Sequence, residues 1–435
     1  MSNSNTPRPN YALPIAIMFA LFFMIAFVTG YQNPLGDVIK NMTGGNVVLS
    51  QLGTFANFIA YAFMGYPAGK LLEKKGYRIT ALWAVTVGFA GVLVTYLSGF
   101  IAGNNLLAVS IYLCGALIAG FSMCMLNAVV NPMLNSLGKD QKQGNQLIQF
   151  GGVCNSTGAT LAPMIVGGLI GGTASSIASA NPVFFMSMGI FALAAAILYF
   201  SKLPEAEGFG TEQKKQEKLK IADALKFPNL RWGLVAIFCY VGIEVGIANW
   251  VFQYLNADAS LAEANPGFTA AAIAGSVSGL YWLLMLVGRL VGGVIGSKVS
   301  ARTMLAVTSA VCCLLIVAAI CMSESAATFI GFNSANLEIS TITIPVNAVL
   351  LVLCGLCTSV QWGSIFNLAV SGVGKYTAMA SGLFMAMVCG GGIIPTVQGL
   401  FAGGNILASF WLPAALAAFL CLYAVVLSRT NKSSK

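Results

Sequence analysis

The chain has 435 residues, of which 57% are apolar and only 8% charged, and its mean hydropathy is +0.83. Soluble proteins carry about 25% charged residues, so this balance excludes a soluble globular enzyme and requires a protein built into a membrane. The formal net charge of +9 is carried by short segments between apolar runs, which makes it a topology signal; no nucleic-acid partner is expected.

The polar N-terminus "MSNSNTPRPN" has no cleavage pattern, so the first apolar run is read as a true span. Windows of spanning length, about 20 apolar residues each, occupy 12–35, 47–69, 79–101, 104–132, 145–171, 181–201, 230–255, 270–297, 303–323, 343–370, 376–402 and 405–428, which makes twelve helices. Lys70, Lys74, Lys75, Arg78, Lys139, Lys142, Lys298, Arg302 and Lys375 fall in alternate loops with both termini, and Lys40 alone lies in a loop on the other side. The positive-inside rule then places both termini in the cytoplasm.

The long polar stretch "SKLPEAEGFGTEQKKQEKLKIADALKFPNL" (201–230) falls near mid-chain. It reads as a cytoplasmic linker with a short surface helix over 214–226. The expected division is an N-terminal six-helix bundle over 1–201, a linker over 202–229 and a C-terminal bundle over 230–435. Internal similarity agrees: "GYPAGKLLEKKGYR" (65–78) is echoed by "GGVIGSKVSAR" (292–302), and "VCNSTGATLAP" (153–163) by "VCGGGIIP" (388–395). Repeats running in the same direction on either side of a cytoplasmic linker are the pattern of a two-bundle carrier. Glycines in the fifth and eleventh helices, with Pro163 and Pro395, give close-packing faces and kink sites.

The eleven cysteines lie almost wholly in apolar runs and the chain has no histidine. Buried helix cysteines behave as small hydrophobes, so neither a disulfide framework nor a metal is expected, and no nucleotide-binding motif calls for a cofactor. Without a catalytic constellation, enzymatic activity is not expected.

Polar residues inside spans are therefore the informative ones. Asp37 and Glu244 are the acidic residues in or at the edge of spans without a basic neighbour in the same helix core. A carboxyl group there can take a proton from one side of the membrane and release it on the other; the alternative is that Asp37 caps a helix end and Glu244 bonds nearby backbone. Asn33 lies four residues from Asp37, Asn127 from Asn131, and Asn249 from Gln253, so each pair shares a helix face. Gln149, Asn155, Gln361 and Asn367 add further amides, and Trp250, Trp282 and Trp362 fall near them. Amides both donate and accept, and aromatic faces pack against C–H surfaces, which together suit a neutral polyhydroxylated solute. Arg289 near the end of the eighth helix reads as a gate residue, with Glu73 and Arg78 after the second.

"GYPAGKLLEKKGYR" resembles the loop motif of the major facilitator superfamily, with Glu73 where Asp is usual. "NPLGD", "LNAVVNP", "NSTGATLAP", "FCYVGIEVGIANWVFQYL", "GLYWLLMLVGRLVG" and "GKYTAMASGLFMAMVCGGGIIPTVQG" resemble the fucose:proton symporter family and its bacterial glucose/galactose branch, over nearly the whole chain. The resemblance implies an all-α fold of twelve transmembrane helices in two pseudo-symmetric six-helix bundles. It further implies a bacterial inner-membrane location and import of a neutral monosaccharide with a proton. The family's proton-coupling carboxylate late in the first helix matches Asp37. A second carboxylate, in a "LETAANP"-like stretch of the fucose permeases, is replaced by Asn127, and Glu244 in "YVGIEVG" resembles the "YVGAEV" of the glucose/galactose branch. Sodium is the alternative coupling ion; beyond solute, ion and membrane lipid no partner is expected, and the monomer is the expected unit. An efflux antiporter and a non-transporting sugar receptor are the competing readings.

Overall fold

A computed structural model of the chain describes residues 11–46, 48–101, 103–138, 141–170, 176–201, 203–204, 221–295, 299–322, 325–333, 338–373 and 376–428. Twelve membrane helices are built from them. The first, α1 (Ala12–Met42), turns at Tyr31 between a wholly apolar Ala12–Gly30 and an amphipathic Gln32–Met42. Next, α2 (52–75) and α3 (77–98) form one stretch, Leu52–Ser98, that reverses at Gly76, whose φ of 75° suits glycine and strains other residues. Then follow α4 (Asn105–Leu137), α5 (Gln141–Ile170), α6 (Asn181–Phe200), α7 (Pro228–Asn256), α8 (Ala270–Ile295), α9 (Ala301–Cys321), α10 (Val346–Val370), α11 (377–401) and α12 (Leu407–Leu427). Eleven of the described helical segments reach spanning length and hydropathy by composition alone. In α2, Asn57, Pro67 and two tyrosines dilute the apolar run.

An even number of crossings brings both ends of the chain to one side, here the termini face; the opposite side is the far face. The first helix runs past the window ending at 35, because its polar continuation stays helical to Met42 and is buried over 34–39, and Asp37 lies inside it rather than at its end. Of the surface helix expected over 214–226, residues 221–226 fall among the described ones, and of these Ile221–Ala224 are helical.

Lipid offers no hydrophobic drive for helix association, so small residues and close backbone approach hold the bundles together. In the first six helices, a Cβ on Gly30 would lie 2.7 Å from Ala162, and one on Gly120 would lie 2.1 Å from the Asn57 carbonyl. The halves meet along two seams made the same way. On the α5–α8 seam, a Cβ at Gly275 would stand 2.4 Å from the Pro163 carbonyl oxygen and one at Gly279 2.7 Å from that of Thr160. On the α2–α11 seam, Gly391 and Gly392 let Phe58 and Phe55 approach to 2.9 Å of the same virtual position.

An antiparallel hairpin of β1 (Ala326–Asn333) and β2 (Glu338–Pro345) joins α9 to α10 on the far face, where the apolar windows leave only a loop. Its inner side buries Ile342 and Ile344, with Gly331 beneath Ile342. Asn265 pins it, donating to the Thr343 carbonyl (2.9 Å) and accepting from the Thr343 amide (2.6 Å). The alternation in "ISTITI" carries this strand; a spanning-length window averages it away.

Gly275→Val is expected to lower the melting temperature of the purified protein by forcing the α5–α8 seam apart, an overpacking cost of roughly 1–3 kcal/mol. Gly189→Ala, with nothing within 4 Å of the added carbon, should leave the melting temperature unchanged in the same assay.

Candidate transport pathway

Two groups of interior polar residues sit at different depths. At the far face, Asp37 of α1 is buried, and its Oδ2 accepts a hydrogen bond of 2.6 Å from Asn256 Nδ2 of α7. Gln253, one turn earlier on α7, lies beside the same carboxyl. Asn249, one turn earlier again, donates to Gln51 Oε1 (3.0 Å) and Thr54 Oγ1 (3.2 Å) at the start of α2. Spacings of four and three put Asn249, Gln253 and Asn256 on one stripe of α7, and the outer two bond to the N-terminal half. The far ends of the halves are thus tied by polar contacts. Gly399 adds an approach of 3.3 Å between its virtual Cβ and Val48.

Deeper, Glu244 of α7 meets Arg289 of α8, Oε1 to Nη2 at 3.7 Å, with both side chains mostly buried. Arg289 Nη1 also donates to the Gly152 carbonyl (2.8 Å) and Ser156 Oγ (2.9 Å) of α5, so the guanidinium spans the two halves. The Tyr240 hydroxyl lies against both charges. Aromatic rings surround the pair: Tyr240 stands edge-on to Trp362 at 6.2 Å, Trp362 to Phe384 at 5.4 Å, and Tyr281 to Trp282 at 5.3 Å. Glu244 has no basic neighbour in its own helix, but the next helix provides one.

The expected sugar-site residues divide. Asn127 donates to Tyr61 Oη (3.0 Å) and Asn131 to the Asn127 carbonyl (3.0 Å), and both remain half-buried on α4. Asn155 donates to the Phe22 carbonyl (3.1 Å) and is also half-buried, as are Trp282 and Trp362. Asn367 is exposed. Two departures stand out. Trp250 is wholly buried and gives its indole N–H to the Pro395 carbonyl (3.0 Å), so it packs α7 on α11 instead of lining an opening. Gln361 is buried and directs its amide nitrogen to Thr308 of α9 (3.5 Å), away from the N-terminal half. The side chains of Asn33, Gln149 and Glu73 lie outside the described residues. Arg78 donates to the Leu198 carbonyl (3.2 Å) and to that of Tyr199, which ties α3 to α6 within one half.

Sequence reading missed Asn256, Gln51, Thr54 and Tyr240. Asn256 was legible as the next step of the Asn249 and Gln253 stripe. The others take their roles from neighbours distant in the chain.

Two helical bundles meeting around interior charges that are matched across helices are the build of a secondary carrier. The chain belongs to the Major Facilitator Superfamily, which it matches over residues 15–395, and is a membrane transporter. It is 24% identical over 439 residues to the glucose/galactose transporter of Brucella abortus biovar 1 (strain 9-941), covering 99% of this chain and 98% of that one. It is also 24% identical over 453 residues to the L-fucose-proton symporter of Escherichia coli (strain K12), covering 97% and 94%. The fold is shared with the outward conformation of the E. coli fucose:proton symporter, at a TM-score of 0.65, 20% identity, and coverage of 97% of this chain and 100% of that one. It is also shared with the E. coli xylose transporter in a partially occluded inward-open conformation, at a TM-score of 0.70, 13% identity, and coverage of 97% and 98%.

Removing one member of a buried ion pair strands the other. Glu244→Ala and Arg289→Ala should therefore each destabilise the protein, while the double variant recovers part of the loss. A double-mutant cycle on denaturant midpoints in detergent is expected to give a coupling of about 1–3 kcal/mol.

Proposed function

We propose that this chain imports a neutral monosaccharide together with a proton, by alternating access, across the inner membrane of a bacterium, with both termini in the cytoplasm. The carrying observation is the composition of its interior: amides, hydroxyls and aromatic rings around two carboxylates, with the Arg289 cation already matched by Glu244. Such a lining offers hydrogen bonds of both senses to a sugar and no unspent positive charge for an anion. End-to-end likeness to proteins named as a glucose/galactose transporter and an L-fucose-proton symporter supports the same reading.

In this reading Asp37, with Glu244, carries the proton. Asn127, Asn131 and Asn155, with Trp282 and Trp362, face the sugar; Asn33, Gln149 and Asn367 belong to the same lining. Asn249 joins them when its bonds to Gln51 and Thr54 part. Glu73, Arg78 and Arg289 steady the cytoplasmic end. The halves divide at 201 and 230, the protein works as a monomer in lipid, and the bonds at the far face mark the state closed to the periplasm.

The test is uptake of labelled fucose, glucose, galactose and mannose into proteoliposomes under an imposed pH or sodium gradient. With one proton per sugar, a gradient of one pH unit, interior alkaline, should drive about tenfold accumulation of the preferred sugar. Asp37→Asn should abolish accumulation yet keep sugar exchange across the membrane. Folded protein that moves none of these sugars under either gradient would overturn the proposal and favour export of other small compounds.

A further inference from the structure

A groove of about 480 Å³ runs along the lipid-facing side of the second half, between α9 and α12. Short side chains form its floor, Ala310 and Cys313 of α9 with Ala418 and Cys421 of α12, and the exposed Leu314 and Leu422 stand at its rims. Cys313 turns its S–H to the Ala414 carbonyl (3.5 Å), so an occupant meets almost nothing but apolar surface. Toward the termini face, α12 ends in a π-turn over Tyr423–Leu427, closed by the Ser428 amide donating to the Tyr423 carbonyl at 2.9 Å. Such turns are rare overall and concentrate at functional sites. Here the turn sets Val425 and Val426, both about half exposed, at the end of the groove. At the same end stands a cation. Arg302, exposed near the start of α9, reaches across to α12, where its Nη2 donates to the Ser428 carbonyl at a long 3.5 Å. It lies eleven residues before Cys313, about three helical turns, and so on the same face of α9. Among the described residues that is the one bond its five N–H donors make, and no carboxylate among them pairs with it.

We infer that this groove seats an anionic phospholipid of the leaflet on the termini face, with one acyl chain along its floor and the phosphate on Arg302. The dimensions suit it: from Ala418 to Val426 the groove follows α12 for about 12 Å at 1.5 Å per residue, room for the upper part of one chain. The charge selects the head. A zwitterionic headgroup carries its own cation to satisfy its phosphate, whereas an anionic one leaves that charge to the guanidinium, a strong and directional partner for phosphate oxygens. A second copy of the chain fits less well. Packed here about an axis normal to the membrane, two copies would present the same patch to each other and hold both Arg302 side chains at one depth, with no acid among the described residues to part them. The site lies apart from the α5–α8 and α2–α11 seams, so it is independent of which solute is carried. It still bears on the core, because the Tyr423 hydroxyl of the π-turn stands 3.1 Å from where a Cβ on Gly233 would be. A seated lipid therefore braces α9 and α12 against the base of α7, the helix that carries Glu244.

Native mass spectrometry of the purified full-length protein, stripped of lipid in detergent, reads the site when phosphatidylglycerol or phosphatidylcholine of identical acyl chains is titrated in. Wild type should bind the first phosphatidylglycerol about fivefold more tightly than the first phosphatidylcholine, the weight of one cation at the headgroup layer. Arg302→Gln should erase that preference. Lys74→Gln, which removes an exposed charge from the same side of the first half, should keep it. Ala418→Phe fills the floor and leaves Arg302 in place; it should weaken the first phosphatidylglycerol severalfold, a loss that plain attraction to surface charge would not produce. Equal binding of the two lipids by wild type overturns the inference, as does a preference that survives Arg302→Gln or is lost equally in Lys74→Gln. Unchanged phosphatidylglycerol binding in Ala418→Phe overturns it too, and a dimer that this variant splits would give the groove to a second copy. The comparison of wild type, Arg302→Gln and Lys74→Gln decides the matter even if Ala418→Phe does not fold.

Discussion

A membrane interior cannot hydrate a charge, and that constraint orders the rest of this protein. Each ionisable group inside the bundles must be answered by a side chain or carbonyl from another helix, because lipid answers nothing. Glu244 is met by Arg289, Arg289 by α5 as well, and Asp37 by Asn256. These contacts join helices that hydrophobic packing alone would leave indifferent to register. They place α7 and α8 of the second half against α1 and α5 of the first.

Glycine contributes what polar groups cannot. The seams between halves run through Gly275, Gly279, Gly391 and Gly392, where a Cβ would collide with backbone or ring atoms. Interfaces of this type bring backbones close without interlocking long side chains, so one half can rock on the other with little repacking. The polar contacts then select among positions that the smooth seams permit. The division of labour is physical: small residues set the path of motion, and charges set where along it the protein rests.

Much of this was legible in the chain, for reasons that differ by feature. Eleven of the spans reach the hydropathy of a membrane helix, a property of consecutive residues, while α2, diluted by Asn57, Pro67 and two tyrosines, is marked instead by the basic motif that closes it at Gly76. The two interior carboxylates were visible because a charge in an apolar run is conspicuous. What escaped depends on distance along the chain. Asn256 meets Asp37 across 219 residues, and Arg289 reaches Gly152 across 137; no local pattern encodes which amide meets which acid. Trp250 and Gln361 show the converse. Their polarity suggested a lining, but an indole N–H or a side-chain amide in a span can equally be consumed by a neighbouring carbonyl or hydroxyl. The hairpin after α9 was lost to averaging, since a period of two vanishes in a window sized for a helix.

The depths of the two carboxylates give them different work. With α8 running from the far face to the termini face, Arg289 lies past its middle and Glu244 near the middle of α7, so this pair sits deeper than Asp37. Asp37 touches the opposite half directly. Among the described residues, Glu244 reaches it through Arg289, whose other nitrogen holds α5. A proton on Glu244 would remove the charge that holds the guanidinium in place and leave Arg289 with its α5 partners alone, shifting its hold toward the opposite half. Asn127 on α4 donates to Tyr61 of α2 within the first half, so it builds no charged link to the second; Arg289, bonded to Gly152 and Ser156, is the side chain that supplies one.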